Sequence, residues 1–288
     1  MAGAEWQAST GRRPWRQASV LPGFGLAFGI TTTALTLVVV VPLAALVVAA
    51  ANAGPATIWA TLTAPRTVAA LRLSFGTAFL AAAINAVFGL VIAWVLVRHR
   101  FPGRRIVDAV IDMPFALPTA VAGITLASLY APNGWVGSLA ARFGLTIAYT
   151  PLGVLVALIF IGLPFVVRTV QPVLEEAEID VEEASALLGA GRWRTLRQVV
   201  LPGVVPALLT GSLLAFARAL GEYGSVIFIA GNIPMVSEIA PLLIVIRLEQ
   251  FDYAGAAVVG VIMLAVSFAL ILAVNGLEGA ARRRLGDV

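Results

Sequence analysis

Six stretches of this chain are apolar over roughly the 20 residues that a helix needs to cross a bilayer: about 24–50, 73–97, 106–130, 151–170, 203–230 and 254–277. Inside lipid each backbone N–H and C=O must be paired within the protein, so such segments are helices. The pattern predicts an all-α polytopic membrane protein with about six transmembrane helices, organised as a single domain over residues 1–288. Composition agrees: 12% of the residues are charged, about half the usual share of a soluble domain. The first block is too long for the apolar region of a signal peptide, and no small-residue cleavage site clearly follows it. A shorter apolar piece, APLLIVI at 240–246, reads as a re-entrant or surface helix between the fifth and sixth spans.

The basic residues set an orientation. All 19 are arginine. Arg12, Arg13 and Arg16 precede the first span, and Arg98, Arg100, Arg104 and Arg105 follow the second. Arg168, Arg192, Arg194 and Arg197 follow the fourth, and Arg282, Arg283 and Arg284 follow the sixth. The opposite loops hold only Arg66, Arg72, Arg142 and Arg247. Positive charge stays on the cytoplasmic side, so both termini are expected there. Arginines dispersed between apolar blocks also argue against a nucleic-acid surface, despite a sequence pI of about 10.3. Without lysine there is no phosphate-binding loop of the G-x-x-x-x-G-K-[ST] type, so any ATP must be bound by another chain. The single histidine, His99, and the lack of cysteine leave no metal site and no thiol chemistry to expect.

One polar segment interrupts this pattern. EEASALLGAGRWRTLRQVVLP, residues 182–202, is charged and lies between two spans. Asp180 and Glu183 suggest a capping box, and Gly189 is suited to end a short helix in a left-handed conformation. A second short helix is expected, with Trp193, Leu196, Val199 and Val200 on one side and Arg192, Arg194 and Arg197 on the other, closed by Pro202. The result is a two-helix elbow at the cytoplasmic surface. It is either an amphipathic loop lying on lipid headgroups or a docking element that passes motion from a cytoplasmic partner into the bilayer.

Within the spans, prolines occur at 42, 114, 118 and 164, and the pair in DMPFALPTAVAG (112–123) is expected to break its helix early. Arg218 and Glu222 are four residues apart in the fifth span and share a helix face. A charge at membrane depth costs about 2.5–3.5 kcal/mol on insertion scales. The pair is either structural or it lines a path for an anion. Asp108 and Asp112 are expected to meet Arg104 or Arg105 or to lie in an interface, His99 to be solvated, and Trp94 and Trp135 to anchor span ends.

Glu183, Ala184 and Ser185, then Gly189, then Val199, Leu201 and Pro202 resemble the EAA loop of ABC importer permeases: E-A-A, three residues, G, nine residues, I-x-L-P. Ser185 and Val199 depart from that pattern without changing side-chain size much. LPGFGLAFG (21–29), FPGRRIVDAVIDMPFALPTAVAGITLASLY (101–130), PFVVRTVQPVLEE (164–176) and RALGEYGSVIFIAGNIP (218–234) are similar to the sulfate/thiosulfate permease family, T subunit. Molybdate permeases share parts of the last stretch, whereas IVIRLEQFDYAGA (244–256) resembles the sulfate family alone.

The resemblance implies a type I ABC importer permease of the bacterial inner membrane, with residues 176–202 as the coupling loop. It implies a cytoplasmic ATPase pair carrying ATP and magnesium, a second permease (the W subunit) as heterodimer partner, and a periplasmic sulfate/thiosulfate-binding protein. On this reading the chain has no catalytic residues. Glu183, Ala184, Ser185, Gly189, Leu201 and Pro202 contact the ATPase, while Arg218 and Glu222 are candidates for the anion's path. The nearest alternative is a molybdate or tungstate permease. An intramembrane enzyme would need a nucleophile or carboxylate dyad at depth, where only Arg218 and Glu222 lie. A passive anion channel would leave the elbow unexplained.

Overall fold

The computed structural model describes residues 23–177 and 179–285. Two compact units, Met1–Leu46 and Val47–Val288, divide the chain. In the first unit the described residues are one apolar helix with exposed side chains: α1 (Phe24–Leu35), a π turn (Thr36–Val40) and the start of α2 (Val41–Asn52). The charge-bearing Arg12, Arg13 and Arg16 lie outside the described residues, as do the side chains of Arg282, Arg283 and Arg284.

In the second unit α3 (Gly54–Thr63) leads into α4 (Pro65–Arg98), followed by α5 (Arg104–Ala116), α6 (Thr119–Tyr130) and α7 (Trp135–Ala141). Then come α8 (Pro151–Glu176), α9 (Ile179–Leu187), α10 (Arg192–Thr195), a second π turn (Leu196–Val200) and α11 (Leu201–Leu220). Short α12 (Val226–Ile229) and α13 (Ala240–Glu249) precede α14 (Tyr253–Leu285). Among the described residues five helices are long and apolar enough to cross a membrane, and α5 with α6 makes a sixth if that bent pair counts as one span.

The core is the mutual packing of α4, α8 and α11. On α4 the buried positions are Thr67, Ala70, Ser74, Ala78, Ala81, Ala82, Asn85, Gly89, Ala93 and Leu96, a stripe of mostly small residues three or four apart. Small side chains let membrane helices approach closely. A Cβ on Gly89 would lie 2.7 Å from Val166 Cγ1, and one on Gly211 would lie 3.0 Å from Val166 Cα. Asn85 Nδ2 donates to the carbonyl of Ile159 at 3.2 Å, in the turn before Pro164, where the missing proline N–H weakens the ladder of α8. Thr150 opens α8 by accepting the N–H of Leu152, with Pro151 in the first turn.

The third block breaks, as its proline pair implies: α5 and α6 meet at 114° across Leu117–Pro118. Leu117 is extended (φ −80°, ψ 134°), as a residue before proline prefers. Two other expectations need correcting. Pro202 does not end a helix, because α10, the π turn and α11 form one continuous helix, Arg192–Leu220. The N–H of Leu201 reaches back five residues to Leu196 O, a π bulge that shifts the carbonyls just before the proline ring. The same device precedes Pro42, where the N–H of Val41 bonds Thr36 O. Finally, the fifth span stops at Leu220 and not near 230; Gly221 caps it, and α12 is a separate turn. The piece at 240–246 does form a short helix, α13, packed on α14 and α4.

Candidate functional site

The elbow is built as two arms around Gly189. Ala190 N–H bonds Ser185 O at 3.1 Å while Gly189 takes φ +82°, the six-to-one bond of a Schellman turn, so α9 stops there. Asp180, expected as the cap, is the second residue of α9, and its side chain lies outside what the structure describes. Ser185 Oγ and Thr195 Oγ1 are 2.9 Å apart, which ties α9 to α10. Ser185, one of the two residues that depart from the loop pattern, thus has a bond that alanine could not make.

The tip carries exposed apolar side chains. Leu187 and Leu188 are each 89% exposed and Trp193 is 71% exposed. Trp193 was expected beside Leu196, Val199 and Val200; only those three turn inward, and Val200 is buried. No other described part of the chain covers these apolar side chains. Glu183 and Ala184 are exposed beside them.

The base of the elbow is anchored. Arg98, the last residue of α4, donates from Nη2 to Glu182 Oε1 at 2.5 Å and to Ala177 O at 3.4 Å. Its guanidinium also lies 5.8 Å from the ring centroid of Trp94. Sequence reasoning placed Arg98 only as a topological marker. Its partner is 84 residues away, so no local spacing could reveal the pair. A groove of about 390 Å³ runs beneath the elbow between Val173, Glu176, Glu182, Val199 and Val204.

The charged pair of the fifth span sits at the other end of the same helix. Arg218 Nη1 lies 2.5 Å from Glu222 Oε2. Glu222 Oε1 accepts the N–H of Ser225 at 2.9 Å and its hydroxyl at 3.0 Å. The carboxylate is 2% exposed, whereas the arginine side chain is 35% exposed. Glu222 is past the end of α11, so it also satisfies the turn that starts α12. Glu222, Ser74, Thr77 and Ile239 line a cavity of about 10 Å³, room for about one water. Ser74 Oγ accepts the first N–H of α13, from Ala240, at 2.8 Å.

Other arginines are paired across the fold. Arg168 on α8 holds α5: Nε and Nη2 reach Asp112 at 2.8 and 2.6 Å, and Nη1 reaches Asp108 at 2.7 Å. Asp108 and Asp112 therefore lie in the interface of α5 with α8, where they meet Arg168 and not Arg104 or Arg105. Arg66 grips Glu238 with two bonds of 2.8 and 2.6 Å, and Arg247 bonds Asp252 at 2.6 Å. His99 and Trp135 are exposed. Among the described residues no group of three or more His, Cys, Asp or Glu side chains could hold a metal.

The sequence profile described as "Binding-protein-dependent transport system inner membrane component" matches residues 85–286. The chain belongs to that family. It is therefore a multi-pass inner-membrane component of a transport system, and the matched stretch contains both the elbow and the Arg218–Glu222 pair. Among curated proteins, the Escherichia coli (strain K12) "Sulfate transport system permease protein CysT" is 48% identical over 266 residues, 92% of this chain and 96% of that protein. The protein of the same name from Synechocystis sp. is 49% identical over 258 residues, 90% of each chain.

Solved structures support the fold at low identity. A bacterial ABC transporter involved in import of the acidic polysaccharide alginate superposes with a TM-score of 0.73 at 14% identity, covering 89% of this chain and 96% of that one. The inward-facing MetNI methionine ABC transporter gives a TM-score of 0.58 at 18% identity, covering 79% and 99%. This chain shares the type I ABC importer permease fold with these structures.

Proposed function

We propose that this chain is the membrane-spanning subunit of an ATP-driven importer of sulfate and thiosulfate, worked by a separate ATPase through residues 176–202. The observation that carries the coupling is the elbow: exposed Leu187, Leu188 and Trp193 at its tip, and a base tied by Arg98 and Glu182 to α4. Its second arm is the first turn of the 29-residue helix Arg192–Leu220, so a push at the tip displaces a span directly. The substrate class follows from the names of relatives 48–49% identical over nearly all of the chain.

In this reading both termini and the elbow face the cytoplasm, and the whole chain acts as one permease domain. An ATPase pair there binds ATP and magnesium, a related W-type permease completes the path, and a periplasmic binding protein delivers the anion. Hydrolysis elsewhere shifts the permease between two states, which requires that the elbow bind the ATPase differently in each. Arg218, half-exposed and steadied by Glu222, faces the passing dianion.

The chain has no cysteine, so Ala184→Cys creates its one thiol. A crosslinker there should capture the ATPase in cells that import labelled sulfate. Import without capture refutes the coupling. Competition by molybdate as strong as by unlabelled sulfate refutes the substrate assignment.

A further inference from the structure

Five arginines within or beside the spans of the second unit have carboxylate partners: Arg66 with Glu238, Arg98 with Glu182, Arg168 with Asp108 and Asp112, Arg218 with Glu222, and Arg247 with Asp252. Arg72 is among the arginines without such a partner: it lies on α4 and has no hydrogen-bond or ion partner among the described residues. It also precedes residues 85–286, the stretch common to the wider family.

Its surroundings are specific. Arg72 is exposed, on a stripe with Val68, Gly76, Ala83 and Val87. Seven residues from the start of α4 place it about 10 Å along the helix. A groove of about 660 Å³ opens there, lined by Thr63, Val68, Arg72, Gly76, Thr77 and Met235. Met235, with φ +64°, belongs to the left-handed run that also includes Gly231 and Asn232. That run is held against α4 by the Arg66–Glu238 fork. Thr77 Oγ1 donates to Leu73 O at 2.7 Å, and Thr63 Oγ1 to Trp59 O at 2.8 Å, so neither hydroxyl proton is turned to the groove. The groove thus offers a ligand one uncompensated positive charge and a planar fork of donors.

We propose that Arg72 takes a tetrahedral oxyanion, the transported dianion, at the mouth of the path on the side of α3 and the α12–α13 connection. This rests on the importer reading above. A guanidinium matches two oxygens of such an anion at once. Arg218 has its charge neutralised by Glu222, whereas Arg72 does not, so the net attraction for a dianion lies at Arg72. With no second donor in the groove the anion is drawn in without being trapped.

The test uses the complete transporter in vesicles, with its ATPase, companion permease and binding protein, the partners freed of cysteine. Wild-type uptake of labelled sulfate checks the importer reading, and its absence overturns both claims. Given that uptake, Arg72→Gln and Arg72→Cys should lower it by about tenfold or more, while assembly and basal ATP hydrolysis persist. Treating Arg72→Cys with a cationic aminoethyl thiol reagent should restore uptake, and an anionic or neutral reagent of similar size should not. Equal rescue by the neutral reagent assigns Arg72 a packing role and overturns the proposal. So does wild-type uptake in Arg72→Gln. A deficit that vanishes in vesicles without anionic lipid makes a headgroup phosphate the partner, which also overturns it.

Discussion

Breaking the bond between Arg98 and Glu182 should release the elbow from α4 while leaving both helices intact. The two side chains are 12% and 23% exposed, so screening by water is weak, and the contact is a single short charge-assisted hydrogen bond. Such a bond contributes about 1.5–3 kcal/mol, and removing one partner leaves the other ion mostly buried. Arg98 Nε is buried without a partner, so the guanidinium has little to fall back on once Glu182 is gone. Arg98→Ala and Glu182→Ala should each raise the local opening of α9 by about 2 kcal/mol, roughly thirtyfold. The double variant should open little more than either single one, with a coupling energy near 1.5 kcal/mol. Hydrogen exchange of the α9 amides in the solubilised transporter reads this directly. Unchanged exchange in the single variants, or additive effects in the double one, would show that the elbow is held by something else.

Gly123→Ala should prevent α6 from seating: the new Cβ would lie 2.3 Å from Ser225 O and 2.7 Å from its Cα, where backbone cannot yield. We expect a loss of about 2–3 kcal/mol, seen as a lower unfolding midpoint of the purified permease. Arg168→Gln removes the hold of α8 on Asp108 and Asp112. These carboxylates are nearly half exposed, so the loss should be only about 1 kcal/mol, confined to faster exchange in α5. Arg218→Ala should abolish uptake while the complex with the ATPase still assembles, and adding Glu222→Gln removes the stray buried charge without restoring transport. Normal uptake in Arg218→Ala would take that residue off the path.

What was readable in the sequence was what depends on local composition. The spans follow from apolarity, and the stop at Gly189 follows from a residue free to take φ +82°. Proline was ambiguous because its effect depends on what the preceding residue does. Before Pro118, Leu117 turns extended and the helix bends by 114°. Before Pro202, Leu201 stays helical at φ −57° and ψ −43°, and a π turn absorbs the missing bond. The carboxylate partners were hidden for a different reason. Arg66 and Glu238 are 172 residues apart, and Arg168 lies 56 from Asp112, so packing decides those pairs and spacing does not. Only Arg218 with Glu222, four apart, could be paired by eye.

The continuity of Arg192–Leu220 determines what the elbow can do. Had Pro202 ended a helix, a flexible joint would separate the elbow's tip from the span, and motion at Leu187 would dissipate there. Instead the helix runs unbroken for 29 residues, about 43 Å, from the second arm of the elbow to the turn containing Glu222. Its near end is steadied through the Ser185–Thr195 contact and, by way of α9, the Arg98 anchor. Its far end carries Arg218, fixed by a buried carboxylate that also holds Ser225. A rigid rod held at both ends by polar contacts can tilt or shift as a unit but cannot bend freely between them. On the coupling proposed above, displacement imposed at the tip reaches Arg218. The ladder of the rod is disturbed at the π turn, Leu196–Val200, and at Pro206, so rotation within the rod should concentrate at those two points.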